Sequence, residues 1–361
     1  MATMREVAEL AGVSIATVSF VLNDTKPVST ATRQRIEQAM AELGFTRNAV
    51  ARALASRRTR IIALAYPAME HRLAGSAMEF VTSAASTARE RGYHLVLWPV
   101  GNDGRELTEL VGQGLVDGVL LMEVQLQDAR VDALQKLGLP FALIGRTAEP
   151  DGLVYVDIDF ETTMEQAVGH LAGLGHRSIV LISGSQTEAS FDSYGPYVRG
   201  EQAYTAAARR RGLDPVIMVC DQDAAAGRKM AERLRAERPD STAAVLLNEF
   251  AAIGFVSGLW RLGVRVPDEL SVVSAISSAE MASIIDPPLT IMRAPGRELG
   301  RLGMAALIQR LESATVSAPT LIPCPLVSGA STAAVRSAEP RADSSASASR
   351  TRSRGRRRPA S

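Results

Sequence analysis

The sequence predicts an N-terminal all-α domain of three helices with a helix-turn-helix, followed by an α/β core of two parallel-sheet lobes. Three observations carry this prediction. Apolar residues at the start of the chain recur at helical spacing between capping residues. From residue 60 to about 312, short apolar strands alternate with helical segments. The 361 residues are also more than a single domain usually holds.

The first two helices are indicated by their ends. Thr3 and Glu6 have the spacing of a capping box, and Gly12 stands where a first helix must stop and turn. Ser14 is placed to cap a second helix over residues 15–22. Two helices joined by a short turn with Gly are typical of a helix-turn-helix, whose second helix enters the DNA major groove. An ordinary helical hairpin packed in a core is the alternative interpretation of the bare pattern.

A third helix and a short linker follow. Ser29 is placed to cap a helix from Thr30 to Leu43 that ends at Gly44, which completes a domain over residues 1–46. The linker, residues 47–59, contains the Ala-rich stretch that begins at Asn48. A helix this short is marginal alone, so we expect it to form only when something supports it.

The core is predicted over residues 60–328 from two series of apolar strands. The chain would cross from the first lobe to the second near residues 157–163 and return near 287–293. Residues 329–361 are rich in Ala, Ser and Arg, and we expect them to be disordered. That tail is either a solvated segment without a task or a mobile arm that adds phosphate contacts. The strands are expected at 61–66, 94–99, 118–122, 141–145, 154–159, 178–183, 215–219, 243–248 and 270–276.

Charge is distributed unevenly along the chain. Residues 1–60 carry nine Lys or Arg and five Asp or Glu, a net charge of +4, and residues 336–361 carry eight Arg and two acids, a net charge of +6. The whole chain is +1, which leaves −9 for the middle. Basic ends on an acidic middle suit a protein that holds a polyanion by its ends, although charge alone does not separate DNA from RNA or a membrane surface.

The sequence also indicates the cellular compartment in which the protein works. No apolar run reaches the roughly 18 residues of a membrane span, and acidic and basic residues begin at Arg5, so no signal segment is expected. Cys220 and Cys324 fit reduced thiols better than a disulfide framework. We expect a cytoplasmic protein without a membrane partner.

A set of residues stands at fixed spacings in both parts of the chain. In the N-terminal domain these are Val7, Ala8, Ala11, Gly12, Val13, Ser14, Thr17, Val18, Ser19, Val21, Asn23, Val28, Ser29, Thr32, Arg33, Ile36, Ala39, Leu43, Gly44 and Asn48; those in the core include Asp159, His170, Leu171, residues 174–177, Asn248, residues 266–267, 270–273 and 288–290. At these positions, from residue 3 to about 328, the chain resembles the lac/gal repressor family of bacterial transcription regulators. The family's core is periplasmic-binding-protein-like. The resemblance implies a homodimer, or a higher oligomer, that binds a pseudo-palindromic operator in double-stranded DNA and is modulated by a small effector in the cleft between the lobes. It also implies hinge helices that become ordered in the minor groove.

The resemblance implies DNA-binding residues in two groups. Hydroxyl and amide side chains would contact phosphates, and Ile15, Ala16 and Phe20 would face the bases. These three make only apolar contacts, most plausibly with thymine methyls, so we expect weak discrimination by the recognition helix. Leu54 would wedge between base pairs in the minor groove, so DNA deformability would supply part of the specificity. The full predicted set is Met4, Ser14, Ile15, Ala16, Thr17, Ser19, Phe20, Asn23, Ser29, Thr32, Asn48, Ala51 and Leu54.

Effector-binding candidates lie just after strand ends, where ligands of such lobes bind. Three departures from the family pattern affect them. Phe160 replaces an Asn, Arg199 is one place out of register, and residues 274–277 read Ser-Ala-Ile-Ser in place of Gly-aromatic-Asp-Asp. We therefore expect a small effector that is sugar-like or, as these departures favour, less polar than a sugar; the alternative is a cleft that has lost small-molecule sensing. The predicted set is Tyr66, Trp98, Glu123, Arg146, Asp159, Asp192, Tyr194, Arg199 and Asn248.

Two other classes of protein compete with this interpretation. A solute-binding protein for transport would need an export signal and would not use residues 1–58. An enzyme on a doubly wound sheet would need a recognisable site, but the sequence has no P-loop, no G-x-G-x-x-G, no G-x-S-x-G and no metal-ligand spacing among its four histidines. We expect no catalytic residue, metal or cofactor.

Overall fold

The computed structural model describes residues 2–23, 26–45, 58–67, 75–185, 193–313 and 317–335. The chain begins with three helices, α1 (Met4–Ala11), α2 (Ile15–Asn23) and α3 (Thr30–Glu42). They bury a small apolar core of Val7, Ala8, Ala11, Val18, Val21, Ile36 and Ala39.

The chain divides into two compact units, each with one six-stranded sheet, and the three N-terminal helices belong to the first unit. The first unit comprises Met1–Thr162, Ser185–Gly200 and Ala294–Cys324, and the second comprises Thr163–Gly184, Glu201–Arg293 and Pro325–Ser361. We call the two α/β parts the first lobe and the second lobe. The predicted fold class, an all-α domain followed by two parallel-sheet lobes, is confirmed.

The first lobe has the strand order β11-β5-β4-β3-β1-β2, and every recorded pair is parallel. All residues of β3 and β4 are buried, because helices cover both faces of the sheet. The elements are β1 (Ile61–Pro67), α4 (Gly75–Glu90), β2 (His94–Val100), α5 (Arg105–Gly112), β3 (Gly118–Leu121), α6 (Ala129–Leu137), β4 (Phe141–Ile144), β5 (Tyr155–Ile158), α12 (Gly296–Ser313) and β11 (Thr320–Ile322).

The second lobe has the order β12-β10-β9-β8-β6-β7, in which only β12 runs antiparallel to its neighbour within the described strands. Two helices, α7 (Phe160–Gly173) and α8 (Gly195–Arg210), have residues in both units. The other elements are β6 (Ile179–Gly184), β7 (Val216–Cys220), α9 (Ala224–Glu237), β8 (Ala243–Leu246), α10 (Glu249–Arg261), β9 (Ser271–Ser277), α11 (Ala279–Ala282), β10 (Thr290–Arg293) and β12 (Leu326–Val327).

The structure corrects the start of the predicted disordered tail, because residues 329–335 pack against the second lobe. The buried hydroxyl of Ser331 accepts a hydrogen bond from the Thr290 amide at 2.7 Å and donates to the Val272 carbonyl at 2.6 Å. The Val335 amide donates to the Leu174 carbonyl at 2.9 Å. Hydrogen bonds rather than apolar burial hold this segment, and a composition argument that counts apolar groups overlooks them. The rest of the tail, 336–361, lies outside the described residues.

We expect the second lobe to lose stability as the pH falls, because the buried ring of His176 packs against residues 329–335 in its neutral form. Its ring nitrogens lie 3.0 Å from the Ala333 carbonyl oxygen and 2.9 Å from Thr242 Oγ1. Burial lowers the pKa of His176 below its ordinary value, and burial does the same for His170. The unfolded chain therefore binds protons first, and unfolding becomes easier as the pH falls through about 6.5, by up to about 1.4 kcal/mol per pH unit for each histidine.

Urea unfolding at about pH 7.5 and about pH 5.5 measures this dependence. His176→Gln, which keeps hydrogen-bonding atoms but does not titrate, is expected to remove the contribution of His176 and to leave that of His170. An unfolding free energy with the same pH dependence in the variant would contradict the assignment.

Two further features bear on function. Within the described ranges, no helix is long and apolar enough to cross a membrane, and no three His, Cys, Asp or Glu side chains are grouped so as to hold a metal ion. Cys220 and Cys324 are buried thiols that form no disulfide. Burial raises the pKa of Cys220 to about 12, so this thiol is unreactive at neutral pH.

Candidate nucleic-acid interface and effector site

The helix-turn-helix is built by local capping. The Thr3 amide donates to Glu6 Oε2 at 2.7 Å and the Glu6 amide donates to Thr3 Oγ1 at 3.3 Å, which is the predicted capping box. The hydrogen bond from the Thr3 amide holds the pKa of Glu6 below its ordinary value. Gly12 ends α1 with φ at +63°, a conformation that suits glycine. The turn therefore fixes where α2 begins.

The hydroxyl residues at the starts of α2 and α3 form two matching caps. The Thr17 amide donates to Ser14 Oγ at 3.1 Å, and the Thr32 amide donates to Ser29 Oγ at 3.3 Å. In each pair the two hydroxyls also lie within hydrogen-bonding distance of each other, at 2.8 Å and 2.9 Å. Two helix N-termini with exposed capping hydroxyls can bind phosphate through their amides and dipoles.

The outer face of α2 is small and apolar. Ile15 is 47% exposed, Ala16 is exposed, and Ser19 and Phe20 are half-buried. Ser19 and Phe20 follow Ile15 and Ala16 by about one helical turn, which places the four residues on one side of the helix. Met4, at the start of α1, is 39% exposed.

One cation on this domain, Lys26, was not among the predicted DNA-binding residues. The ammonium of Lys26 lies 4.9 Å from the ring centroid of Phe20, so a positive charge stands beside a predicted base-reading position. Asn23 ends α2. Asn48, Ala51 and Leu54 lie outside the described residues, and their minor-groove role stays a prediction.

In the first lobe, the structure brings four of the predicted effector residues into a polar cluster. Glu123 follows β3 with φ at +54°, and its carboxylate accepts a hydrogen bond from the Tyr194 hydroxyl. The Arg199 guanidinium donates to the carbonyl oxygens of Arg146 and Thr147 at 2.8 Å and 3.0 Å. Burial raises the pKa of Glu123 and, with the nearby carboxylate, that of Tyr194.

Asp157 connects the two arginines and was not among the predicted effector residues. Its Oδ2 lies 3.6 Å from Arg146 Nε and 4.0 Å from Arg199 Nη1. Burial raises its pKa to about 6, against the lowering effect of the two guanidinium groups. An acid in the middle of an apolar strand is the sequence signal that would have revealed it.

Two predicted effector residues serve as helix caps. Asp159 Oδ1 accepts from the Thr162 amide at 2.9 Å at the start of α7. Asn248 Oδ1 accepts from the Ala251 amide at 2.9 Å at the start of α10, and its Nδ2 donates to Gln222 Oε1 at 3.0 Å in the second lobe.

The other predicted residues are placed apart. Tyr66 is the penultimate residue of β1, and Trp98 lies on β2, an edge strand of the first-lobe sheet. Trp98 lines a groove of about 400 Å³ with Pro99, Glu106, Glu109, Leu110 and Gln113, on the flank of that lobe. Asp192 lies outside the described residues.

The departures from the family pattern also have structural roles. Phe160 is 2% exposed and therefore part of the core. Ser277 and the Ser278 amide donate to the buried carboxylate of Glu249, at 3.3 Å and 2.9 Å. Ile276, beside them, has φ at +55°, an uncommon conformation for a β-branched residue.

Both parts of the chain match families of known proteins. Residues 3–48 match the family described as bacterial regulatory proteins, lacI family, and residues 168–332 match the periplasmic binding protein-like domain. The HTH-type transcriptional regulator CelR of Thermobifida fusca is 30% identical over 334 residues, covering 89% of this chain and 95% of that protein. The HTH-type transcriptional repressor PurR of Vibrio atlanticus is 28% identical, covering 86% and 92%.

Solved structures agree with these matches. The structure of the lac repressor dimer bound to operator and an anti-inducer superposes with a TM-score of 0.80 at 26% identity, covering 92% of this chain and 99% of that one. A complex of the regulator CelR with cellobiose gives a TM-score of 0.67 at 27% identity, covering 92% and 100%. The chain therefore belongs to the lacI family of bacterial regulatory proteins and is a DNA-binding transcription regulator.

Proposed function

We propose that this regulator is a cytoplasmic repressor, without enzymatic activity, that binds a pseudo-palindromic operator as a homodimer. The observation that carries the proposal is the exposed outer face of α2, flanked by the two hydroxyl caps at Ser14 and Ser29. In this arrangement α2 enters the major groove and the segment around Leu54 enters the minor groove. Relatives named as transcriptional repressors support the direction of regulation.

Selection of bound duplexes from random DNA by the full chain tests this proposal. We expect a pseudo-palindrome, weak base preference beneath α2, an emphasis on thymines, and an easily unstacked step at the centre. No selected palindrome, or a guanine contact that disappears in Phe20→Ala, would contradict it.

A homodimer follows from the geometry of the operator, since one domain of this size contacts a half-site. Exposed apolar residues on each lobe are consistent with contact between copies. In the first lobe Val96 and Leu97 are 37% and 42% exposed on the edge strand β2, and in the second lobe Trp260 is 80% exposed. Sedimentation at micromolar concentration, with and without operator, tests the state. A monomer in both conditions would exclude the homodimer.

We further propose that a small effector contacts the first-lobe cluster of Glu123, Arg146, Tyr194 and Arg199. The guanidinium of Arg199 is already bound to two carbonyl oxygens and faces Asp157, which leaves it less available to a sugar hydroxyl. This supports an effector less polar than a sugar. The alternative, a cleft that has lost sensing, is favoured by Phe160 in the core and by the engagement of Ser277 with Glu249.

Thermal shift separates these alternatives. A panel of neutral sugars, including cellobiose, is compared with nucleobases and aromatic acids. Strong stabilisation by a simple sugar would contradict the less polar effector. Stabilisation by one of the other compounds that is lost in Glu123→Gln would support a ligand at this cluster.

A further inference from the structure

Three residues, Arg58 to Arg60, lead from the DNA-binding part of the chain into β1, and the carboxylate of Asp117 accepts hydrogen bonds from the backbone of the last two. Asp117 Oδ1 accepts from the Thr59 amide at 2.7 Å and from Thr59 Oγ1 at 2.8 Å, and its Oδ2 accepts from the Arg60 amide at 2.8 Å. The Thr59 hydroxyl also accepts from the Ile61 amide at 3.1 Å. Asp117 thus binds three donors from two successive residues, an arrangement suited to fixing a chain segment.

The same segment contacts β2, the residue before it and α12 in the first lobe. Arg60 has φ at +61°, which residues other than Gly, Asn and Asp rarely adopt. Its guanidinium carbon lies 4.8 Å from the ring centroid of Tyr93, and its Nη1 lies 3.7 Å from Glu312 Oε1 near the end of α12. The Arg60 carbonyl accepts from the His94 amide at 2.8 Å. Arg58 Nη2 donates to the Leu311 carbonyl at 3.3 Å.

The side-chain contacts of residues 58–60 are additional to the hydrogen-bond ladder that pairs β1. That strand already pairs with β2 and β3 over its own length. The contacts to residues 58–60 act instead on chain that precedes the sheet. Only the twelve residues 46–57 separate this point from the last described residue of the DNA-binding domain.

We propose that Asp117 is a positioning residue for DNA binding: it anchors the root of the linker and thereby fixes the point and direction from which the first lobe presents the recognition helix. The inference rests on the proposed binding of a pseudo-palindrome by a dimer. In such a complex two linkers must hold two recognition helices at one fixed separation. Conformational freedom of residues 58–60, at the start of each linker, would be lost on binding and would therefore weaken it.

The size of the effect separates two possible causes. Freeing three residues would lengthen the linker from twelve residues to fifteen, which lowers the effective concentration of the second half-site only about 1.4-fold. If one backbone residue must become ordered again when the protein binds, the binding constant falls roughly five- to thirtyfold. We therefore expect the loss of order at the root, and not the added length, to dominate.

The test uses the full chain and the palindrome that the wild type selects from random DNA. Asp117→Ala is expected to weaken operator binding about tenfold or more. Binding to a duplex with a single half-site is expected to stay within about twofold, because the helix-turn-helix itself is unchanged. The variant is also expected to suffer a smaller penalty than the wild type when one base pair is inserted between the half-sites. A merely structural role in the lobe would not change this spacing dependence.

Matched controls keep the outcome interpretable. Asp151→Asn removes one negative charge from an exposed position of the first lobe, whereas Asp117 is half-buried. Thr59→Val removes one donor and leaves Asp117 intact, while Thr59→Ser retains it and is expected to bind as the wild type does. If Asp117→Ala unfolds the protein, the Thr59 pair carries the same comparison of full and half sites.

The outcomes are distinct. Equal losses on full and half sites, an unchanged spacing penalty, or operator binding like that of Asp151→Asn would overturn the role of Asp117. A wild-type protein that selects no palindrome would refute the proposed function instead, before any variant is compared.

Discussion

Replacing Arg130 with alanine is expected to lower the free energy of unfolding of the first lobe by about 3–5 kcal/mol. The side chains of Arg130 and Asp128 are both fully buried, with Nη2 of Arg130 at 2.7 Å from Asp128 Oδ2 and Nε at 2.9 Å from Oδ1. Alanine would leave the Asp128 carboxylate buried without its countercharge. Urea unfolding at neutral pH measures the loss.

A double variant separates two contributions to the free energy of unfolding: the cost of burying one unpaired charge, and the net stabilisation by the Arg130–Asp128 ion pair. Asp128→Asn with Arg130→Met keeps the amide acceptor that caps α6 and removes both charges. We expect it to be more stable than Arg130→Ala alone, because no uncompensated charge remains. A single-variant loss below about 1 kcal/mol, or a less stable double variant, would contradict this account.

The same substitution should disturb the effector candidates. Arg130 Nη2 also donates to the Glu123 carbonyl at 2.7 Å and holds that residue at its positive φ. The Glu123 carboxylate in turn accepts a hydrogen bond from the Tyr194 hydroxyl. The stability of a helix start and the geometry of the first-lobe cluster are therefore coupled through one guanidinium group.

Local signals predicted the helix-turn-helix well, because its boundaries are fixed by neighbours in sequence. The capping box at Thr3 and Glu6, the left-handed Gly12 and the cap at Ser14 each depend on residues within three positions. The buried strands were equally clear, since strands covered on both faces are continuous apolar runs. Residues 329–335 were misjudged because their partners, such as Thr290, are distant in sequence.

The first-lobe cluster was predicted only in part. The rule that ligands bind after strand ends pointed to Glu123 and Arg146, yet it passed over Asp157, which lies within β5. The same rule selected Asp159 and Asn248, whose side chains cap helices in the structure. A polar residue after a strand has the same sequence pattern whether it caps the next helix or faces a ligand, so the three-dimensional contacts are needed to distinguish them.

The DNA-reading face shows a similar limit. Helical spacing placed Ile15, Ala16 and Phe20 on the outer face of α2, but it did not show that Phe20 is half-buried beside Lys26. Ile15 and Ala16 are the more exposed of the three. A test of DNA recognition is therefore best made at one of these two positions.

Replacing Ala16 with glutamate is expected to weaken operator binding about 100-fold or more, since like charges across an interface cost several kcal/mol. Ala16 is exposed in the first turn of α2, where a carboxylate favours the helix by about 0.3–1 kcal/mol, so the domain should fold at least as well. Fluorescence anisotropy with the selected operator measures binding, and circular dichroism measures folding. Ala41→Glu, an exposed site near the end of α3, is the matched control and should bind within a few-fold of the wild type. Equal affinities of the two variants would show that α2 does not face the DNA, because the charge change is identical and only its position differs.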